Sequence, residues 1–134
     1  MKKEKKAIVQ ILRKRYDILF GYLFGSKAKG YANERSDWDI ALYLNTSIKQ
    51  NGRWPEFELE AEISRTVEAT VQVTILNAPL SPVFGFEIIK DGVILLDRDP
   101  KLRIDFENRM LRHYHDWQYF LKRQMETERH LQGI

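Results

Sequence analysis

The 134-residue chain contains no cysteine. Disulfides and thiolate metal sites are therefore excluded, and the composition fits a reducing cytoplasm, the expected location. No apolar run approaches the roughly 20 residues that a membrane-spanning helix needs. Lysines stand at positions 2, 3, 5 and 6, but no apolar segment of signal-peptide type follows them. A membrane is thus not an expected partner. Neither an internal repeat nor a low-complexity linker interrupts the sequence, so one domain is expected over residues 1–134. Charge of one sign is also scarce: 22 basic against 19 acidic residues leave a net +3. That excess reads as surface lysine on a solvated face, and nucleic acid is not an expected partner. Only three histidines occur. His113 and His115 are two apart on an expected helix and do not face each other, so no metal site is expected there.

Hydrophobic residues make up 43% of the chain and charged residues 31%, enough for one globular domain with a real core. The pattern predicts alternating helices and strands. A first helix is expected over 2–16, with Ile8, Ile11, Leu12 and Arg15 on the helical period. Ile18 to Phe24 is an apolar strand. Residues 26–32 read as a short helix or turn, 37–44 as the second strand, and Asn51-Gly52 as a turn signal. A helix from about Pro55 to Val67 follows, with Pro55 at its first position and Phe57, Leu59, Ala61, Ile63 and Val67 supplying apolar contacts. Val71 to Leu76 is β-branched and strand-like. Ser81-Pro82 reads as N-cap and first residue of a helix through about Lys90. Asp91-Gly92 then turns the chain into a strand at Val93 to Leu96. These elements predict an α/β fold, a mixed sheet of about four strands flanked by helices.

From about Lys101 to His130 nothing breaks a helix. Phe106, Met110, Tyr114, Trp117, Leu121 and Met125 recur at spacings of 4, 4, 3, 4 and 4, one apolar stripe on a long C-terminal helix. Such a helix is about 45 Å long, against about 30 Å for a small domain. Residues of about 100–134 therefore form a C-terminal helical extension. The segment beyond Tyr114, with Trp117, Tyr119 and Phe120, is expected to meet another protein or a second copy of the chain.

The chemistry concentrates between residues 23 and 44. An apolar run ends in Gly25-Ser26, a basic turn with Lys27, Lys29 and Gly30 follows, and Asp37-Trp38-Asp39 opens the next apolar run. Alternate residues of a strand share a face, so Asp37 and Asp39 stand side by side with Cα atoms about 6.5–7 Å apart. That pair suits Mg²⁺, which takes few protein carboxylates and completes its shell with water and substrate phosphates. A Gly-Ser turn can offer N–H groups and a hydroxyl to the same phosphates. Lys27, Lys29 or Arg35 could add positive charge.

Gly25-Ser26, the ten-residue spacer and Asp37-x-Asp39 resemble the signature of the nucleotidyltransferase superfamily that includes DNA polymerase β. The short chain and its continuation resemble the minimal nucleotidyltransferase (MNT) group. The resemblance implies a nucleotidyltransferase fold. It further implies Asp37 and Asp39 as catalytic metal ligands for Mg²⁺, and Gly25, Ser26, Lys27 and Lys29 as the nucleotide-binding residues, with ATP as substrate. Many relatives place a third carboxylate on a strand of Val-Asp-Leu type followed by Asn and Pro. The matching stretch here is Val71-Gln72-Val73-Thr74-Ile75-Leu76-Asn77-Ala78-Pro79, with Gln72 at the acid's place and Glu68 as the nearest substitute in sequence. An amide ligates Mg²⁺ more weakly and cannot act as a base.

Proteins similar to MNT domains are commonly partnered with HEPN proteins, small all-helical ribonuclease-like toxins, and act as their antitoxins. The resemblance thus implies a protein adenylyltransferase that modifies a HEPN partner. The alternative it leaves open is a catalytically weak binding module that neutralises the toxin by contact.

Overall fold

The computed structural model describes residues 2–30, 37–46, 49 and 52–132. Helix α1 (Lys2–Arg13) leads into β1 (Ile18–Phe24), a single helical turn α2 (Ser26–Lys29) and β2 (Trp38–Leu44). Then come α3 (Glu56–Val67), β3 (Val71–Ile75), α4 (Pro82–Asp91), β4 (Val93–Asp97) and α5 (Pro100–Gln132). The expected residues Tyr31 to Ser36, Arg35 among them, lie outside the described residues, as does Asn51 of the expected turn.

Four strands form one mixed sheet in the order β3-β2-β1-β4. β1 runs antiparallel to both β2 and β4, while β2 and β3 are parallel. Each face of the sheet carries its own apolar layer. Trp38, Ile40, Leu42 and Leu44 of β2 join Val71, Val73 and Ile75 of β3 under Ile8 and Leu12 of α1 and Leu59 and Ile63 of α3. On the other face Phe20, Tyr22 and Ala41 pack with Ile88 of α4 and Phe106 and Met110 of α5. The two-residue alternation of β2 thus divides the core: even-numbered side chains from Trp38 go one way, Asp39, Ala41 and Tyr43 the other.

Local chemistry sets the ends of the elements. Ser81 is the N-cap of α4, its hydroxyl accepting from Phe84 N, with Pro82 in the first turn. Pro55 is the N-cap of α3 instead of its first residue, and its carbonyl accepts from Leu59 N at 3.1 Å. Leu59 and Ile63 are buried one turn apart, but Phe57 is 76% exposed and Ala61 is exposed. Both lie off the Leu59–Ile63–Val67 line, so the expected contacts at 57 and 61 are absent. Asp91 belongs to α4 rather than to a turn, and Gly92 follows in extended conformation. Glycine is needed there for close approach, since a Cβ would lie 2.3 Å from Ile88 O.

α1 stops at Arg13, three residues before the expected end. Lys14 N and Arg15 N reach back only three residues, to Ile11 O and Leu12 O, so the last turn tightens. The guanidinium of Arg98, just beyond β4, donates to the carbonyls of Arg13 and Arg15 and, at 2.8 Å, to Ile18 O. It thereby satisfies carbonyls that a helix end leaves open. Arg15 turns off the helix to pair with Asp17 and Glu62, both at 3.3 Å.

A chain of polar contacts fastens α5 to the sheet. Tyr22 Oη donates to Glu107 Oε1 at 2.7 Å, Arg103 Nη1 reaches the same oxygen at 2.9 Å, and Arg103 Nε reaches Asp97 Oδ2 at 2.8 Å. Burial and the bond to Glu107 push the Tyr22 phenol far above its ordinary pKa, so it stays a donor. Arg103→Ala removes the cation that bridges the carboxylates of Asp97 and Glu107. It should cost about 2–3 kcal/mol of stability, and Tyr22→Phe about 1 kcal/mol. Urea unfolding with an unchanged slope is the check; equal stability of Arg103→Ala and wild type would show that apolar packing alone holds α5.

Candidate functional site

Asp39 lies in β2 directly between two neighbours in register: Phe24 on β1 and Gln72 on β3. Immediately after Phe24 the chain turns at Gly25, with φ 75° and ψ −157°, before α2 begins at Ser26. That left-handed φ is open to glycine at little cost. Space demands glycine as well. A Cβ on Gly25 would lie 2.3 Å from Asp39 Oδ2 and 3.2 Å from Cγ. The Gly25-Ser26 turn is therefore laid against the Asp39 carboxylate. Lys29 N donates to Gly25 O at 3.2 Å and closes the turn.

Trp38 decides where the two acids point. Its side chain is 2% exposed and belongs to the layer under α1 and α3. Its N–H donates to Thr70 O at 2.9 Å, which holds the entry of β2 to the entry of β3. Asp37 and Asp39, one residue to either side, are thereby directed to the other face. Asp37 is exposed and Asp39 half-buried. Burial pushes the Asp39 carboxyl above its ordinary pKa, and the negative charge of Asp37 adds to the rise.

Of the six residues predicted to form the site, Gly25, Ser26, Asp37 and Asp39 come together at the ends of β1 and β2. The two lysines have other engagements. Lys27 is 7% exposed, and its ammonium sits 4.6 Å from the centroid of the Trp38 ring, on the face away from Asp39. Lys27 thus packs its ammonium on the Trp38 ring in this structure. The Lys29 ammonium pairs with Asp91 Oδ2 at 3.4 Å and ties α2 to the end of α4.

Gln72 shares the face of Asp39, because Val71, Val73 and Ile75 turn to the opposite layer. It is exposed, and its amide oxygen is a neutral donor beside the two acids. Glu68, at the αL C-cap of α3 with φ 53°, does not complete the set. Among the described residues no group of three His, Cys, Asp or Glu side chains is placed to hold a metal. The hard oxygen donors of Asp37 and Asp39 fit one Mg²⁺ whose remaining positions go to water and phosphate oxygens. A divalent cation there would also neutralise the repulsion from Asp37, which adds to the effect of burial on Asp39.

Residues 6–101 match the polymerase β nucleotidyltransferase family, and the chain belongs to that family. No match occurs among curated proteins. Solved structures share the fold. A toxin–antitoxin complex with AMP-PNP contains a chain with a TM-score of 0.74 and 20% identity, covering 92% of this chain and 96% of its own. The MntA–HepT toxin–antitoxin complex gives 0.71 and 19%, over 95% and 97%. A complex of tri-AMPylated HEPN toxin with MNT antitoxin from Shewanella oneidensis gives 0.71 and 18%, over 94% and 96%. Among the described residues no helix is long and apolar enough to cross a membrane.

Two outcomes follow from the close approach of Gly25 and Asp39. Gly25→Ala should displace the Asp39 carboxylate and destabilise the turn, since the left-handed φ costs a non-glycine residue about 1 kcal/mol or more. Asp39→Asn should do the reverse to stability. With its folded pKa raised above the unfolded value, Asp39 makes stability fall as pH rises through the window between the two, and the penalty is full above it. The variant should therefore unfold at a higher temperature than wild type at neutral pH without divalent cations. The difference should vanish below the ordinary carboxylate range. A lower midpoint for Asp39→Asn at neutral pH would show that the carboxylate is stabilised in the fold.

Proposed function

We propose that the chain is the antitoxin of a HEPN/MNT pair and that it transfers AMP from Mg²⁺–ATP to a hydroxyl side chain of its toxin. The observation that carries this reading is the Gly25 turn packed on Asp39 with Asp37 beside it, within a chain of the polymerase β nucleotidyltransferase family. Chains of the same fold were solved in toxin–antitoxin complexes, one with AMP-PNP and one with an AMPylated toxin, which supports both the nucleotide and the partner.

Asp37 and Asp39 hold the cation, and Ser26 with the N–H groups of its turn holds the outer phosphates. Bound Mg²⁺ supplies charge neutralisation on the triphosphate and in the transition state. Fixed charges and dipoles are most effective where water is scarce, and Asp39, the more buried of the two acids, lies at that end of the site. The acceptor oxygen forms a bond to the α-phosphorus, the bond to the bridging oxygen breaks, pyrophosphate leaves, and the hydroxyl proton is released.

One observation favours a second reading. Gln72 stands in register with Asp39, where a third carboxylate would hold a second cation. On that reading the chain is catalytically weak or inactive and neutralises the toxin by contact alone.

Calorimetric titration of Mg²⁺–ATP should show at least about tenfold weaker binding for Asp37→Asn and for Asp39→Asn, each of which removes one charged ligand. Where a HEPN-type protein is encoded beside this chain, radiolabel transfer to it from ATP should occur with wild type and be lost in both variants. Gln72→Asp should raise the rate by supplying a third carboxylate. Unchanged affinity in both variants would remove the carboxylates from the site, and no transfer at any Mg²⁺ or Mn²⁺ concentration would leave the binding reading.

A further inference from the structure

α5 is two structures in one helix. Its first half packs on the sheet: Phe106 is 1% exposed, against Phe20 and Tyr43, and Met110 is 7% exposed, against Gly85. The last contact is Tyr114, whose ring stacks on Phe86 of α4 at 3.9 Å and 4°. From His115 to Leu131 every side chain is exposed. The helix runs on to Gln132, so 18 residues, 132 less 114, extend about 27 Å beyond the domain at 1.5 Å each.

This overhang is not a polar tail. At 100° per residue, Trp117, Leu121 and Met125 continue the line of Phe106, Met110 and Tyr114, and Phe120 lies on its flank. Trp117 is 36%, Phe120 52% and Met125 57% exposed. The Trp117 and Phe120 rings stack on each other at 6.0 Å and 22°, forming one broad aromatic surface. Pairs one turn apart reinforce the helix without a neighbour: Gln118 with the Tyr114 hydroxyl at 3.1 Å, Arg123 with that of Tyr119 at 3.3 Å. The face that covers the chain's own sheet is thus carried, preformed, past the edge of the domain.

The comparisons indicate what covers it. The family match ends at residue 101, so all but the first two residues of α5 lie outside the shared nucleotidyltransferase core. Yet the MntA–HepT likeness covers 95% of this chain. That leaves about 7 of 134 residues unmatched, so the match enters the overhang even if all of them lie at its end. The matched chain is itself 97% covered and brings no extra segment that could fold back over the helix. A chain that was solved with its toxin therefore matches this one into the overhang.

We infer that the Trp117–Phe120–Leu121–Met125 face of α5 is the docking surface for the helical toxin proposed above, separate from the nucleotide site. The inference rests on the antitoxin reading. An amphipathic helix meeting a helical surface uses anchors three and four residues apart, and large aromatic residues carry most of the energy. Docking here sets how tightly the toxin is held, while Asp37 and Asp39 set whether it is modified.

The test uses the full chain and a HEPN-type protein found by sequencing the genes on either side of it. Trp117→Ala should weaken the complex more than about tenfold, and Trp117→Ala with Phe120→Ala should abolish it at micromolar concentration. Glu126→Ala, on the opposite side of the helix, should change it less than about twofold. Mg²⁺–ATP binding and the unfolding midpoint should match wild type throughout, and residual transfer in Trp117→Ala should show a raised KM with kcat unchanged. Wild-type binding that the aromatic variants leave intact overturns the docking surface and spares the antitoxin reading. No binding by wild type overturns the antitoxin reading itself, and the surface with it. A wild-type dimer that Trp117→Ala converts to monomer, with toxin binding unaltered, assigns the face to a second copy and overturns the inference.

Discussion

Trp38 stands between two carboxylates and holds both in place. A strand can present Asp37 and Asp39 on one face only if the residue between them is committed to the other, and Trp38 is fixed there by the largest apolar side chain available and by Lys27 above its ring. The cost falls on the acids. Asp39 is left half-buried beside a like charge, with its ionised form disfavoured. The glycine turn must then approach that carboxylate more closely than any side chain would permit. Core packing, strand register and site chemistry are thus consequences of one alternation, and a slip of one residue in β2 would put Trp38 in the site and both acids in the core.

The edges of the sheet are handled by single side chains. Glu60 of α3 accepts from Val73 N at 2.9 Å, occupying a donor that the β3 edge would otherwise expose. Asn77, just after β3, accepts from Leu44 N at 3.1 Å and donates to Leu44 O at 2.7 Å, extending the ladder of β2 by one side-chain rung. The turn that carries Asn77 and Pro79 is therefore part of the sheet's framework, which is what keeps Gln72 in register with Asp39.

Most of this was legible in the sequence because its signals are local. The apolar run Ile18 to Phe24, the Ser81-Pro82 cap, the β-branched run at Val71 and the paired acids depend on neighbours a few residues away. The point near Tyr114 where α5 leaves the domain was legible too, since a helix of that length outruns a small sheet. What was not legible depends on distant partners. The end of α1 is set by Arg98. The burial of Lys27 depends on a ring eleven residues on, and the exposure of Phe57 on which face α3 turns to the sheet. The neutral Gln72 was legible as a departure, and its alignment with Asp39 became visible only through the parallel pairing of β2 and β3.

Arg98 has a consequence for the order in which the chain is assembled. Its guanidinium closes separations of 80 to 85 residues, between the segment after β4 and the junction of α1 with β1. In a chain with no cysteine it serves as a removable crosslink between the N-terminal helix and the last strand. Such long-range contacts are slow to form, since the loop must close before they give any return. Arg98 can therefore close the junction of α1 and β1 only once β4 lies beside β1.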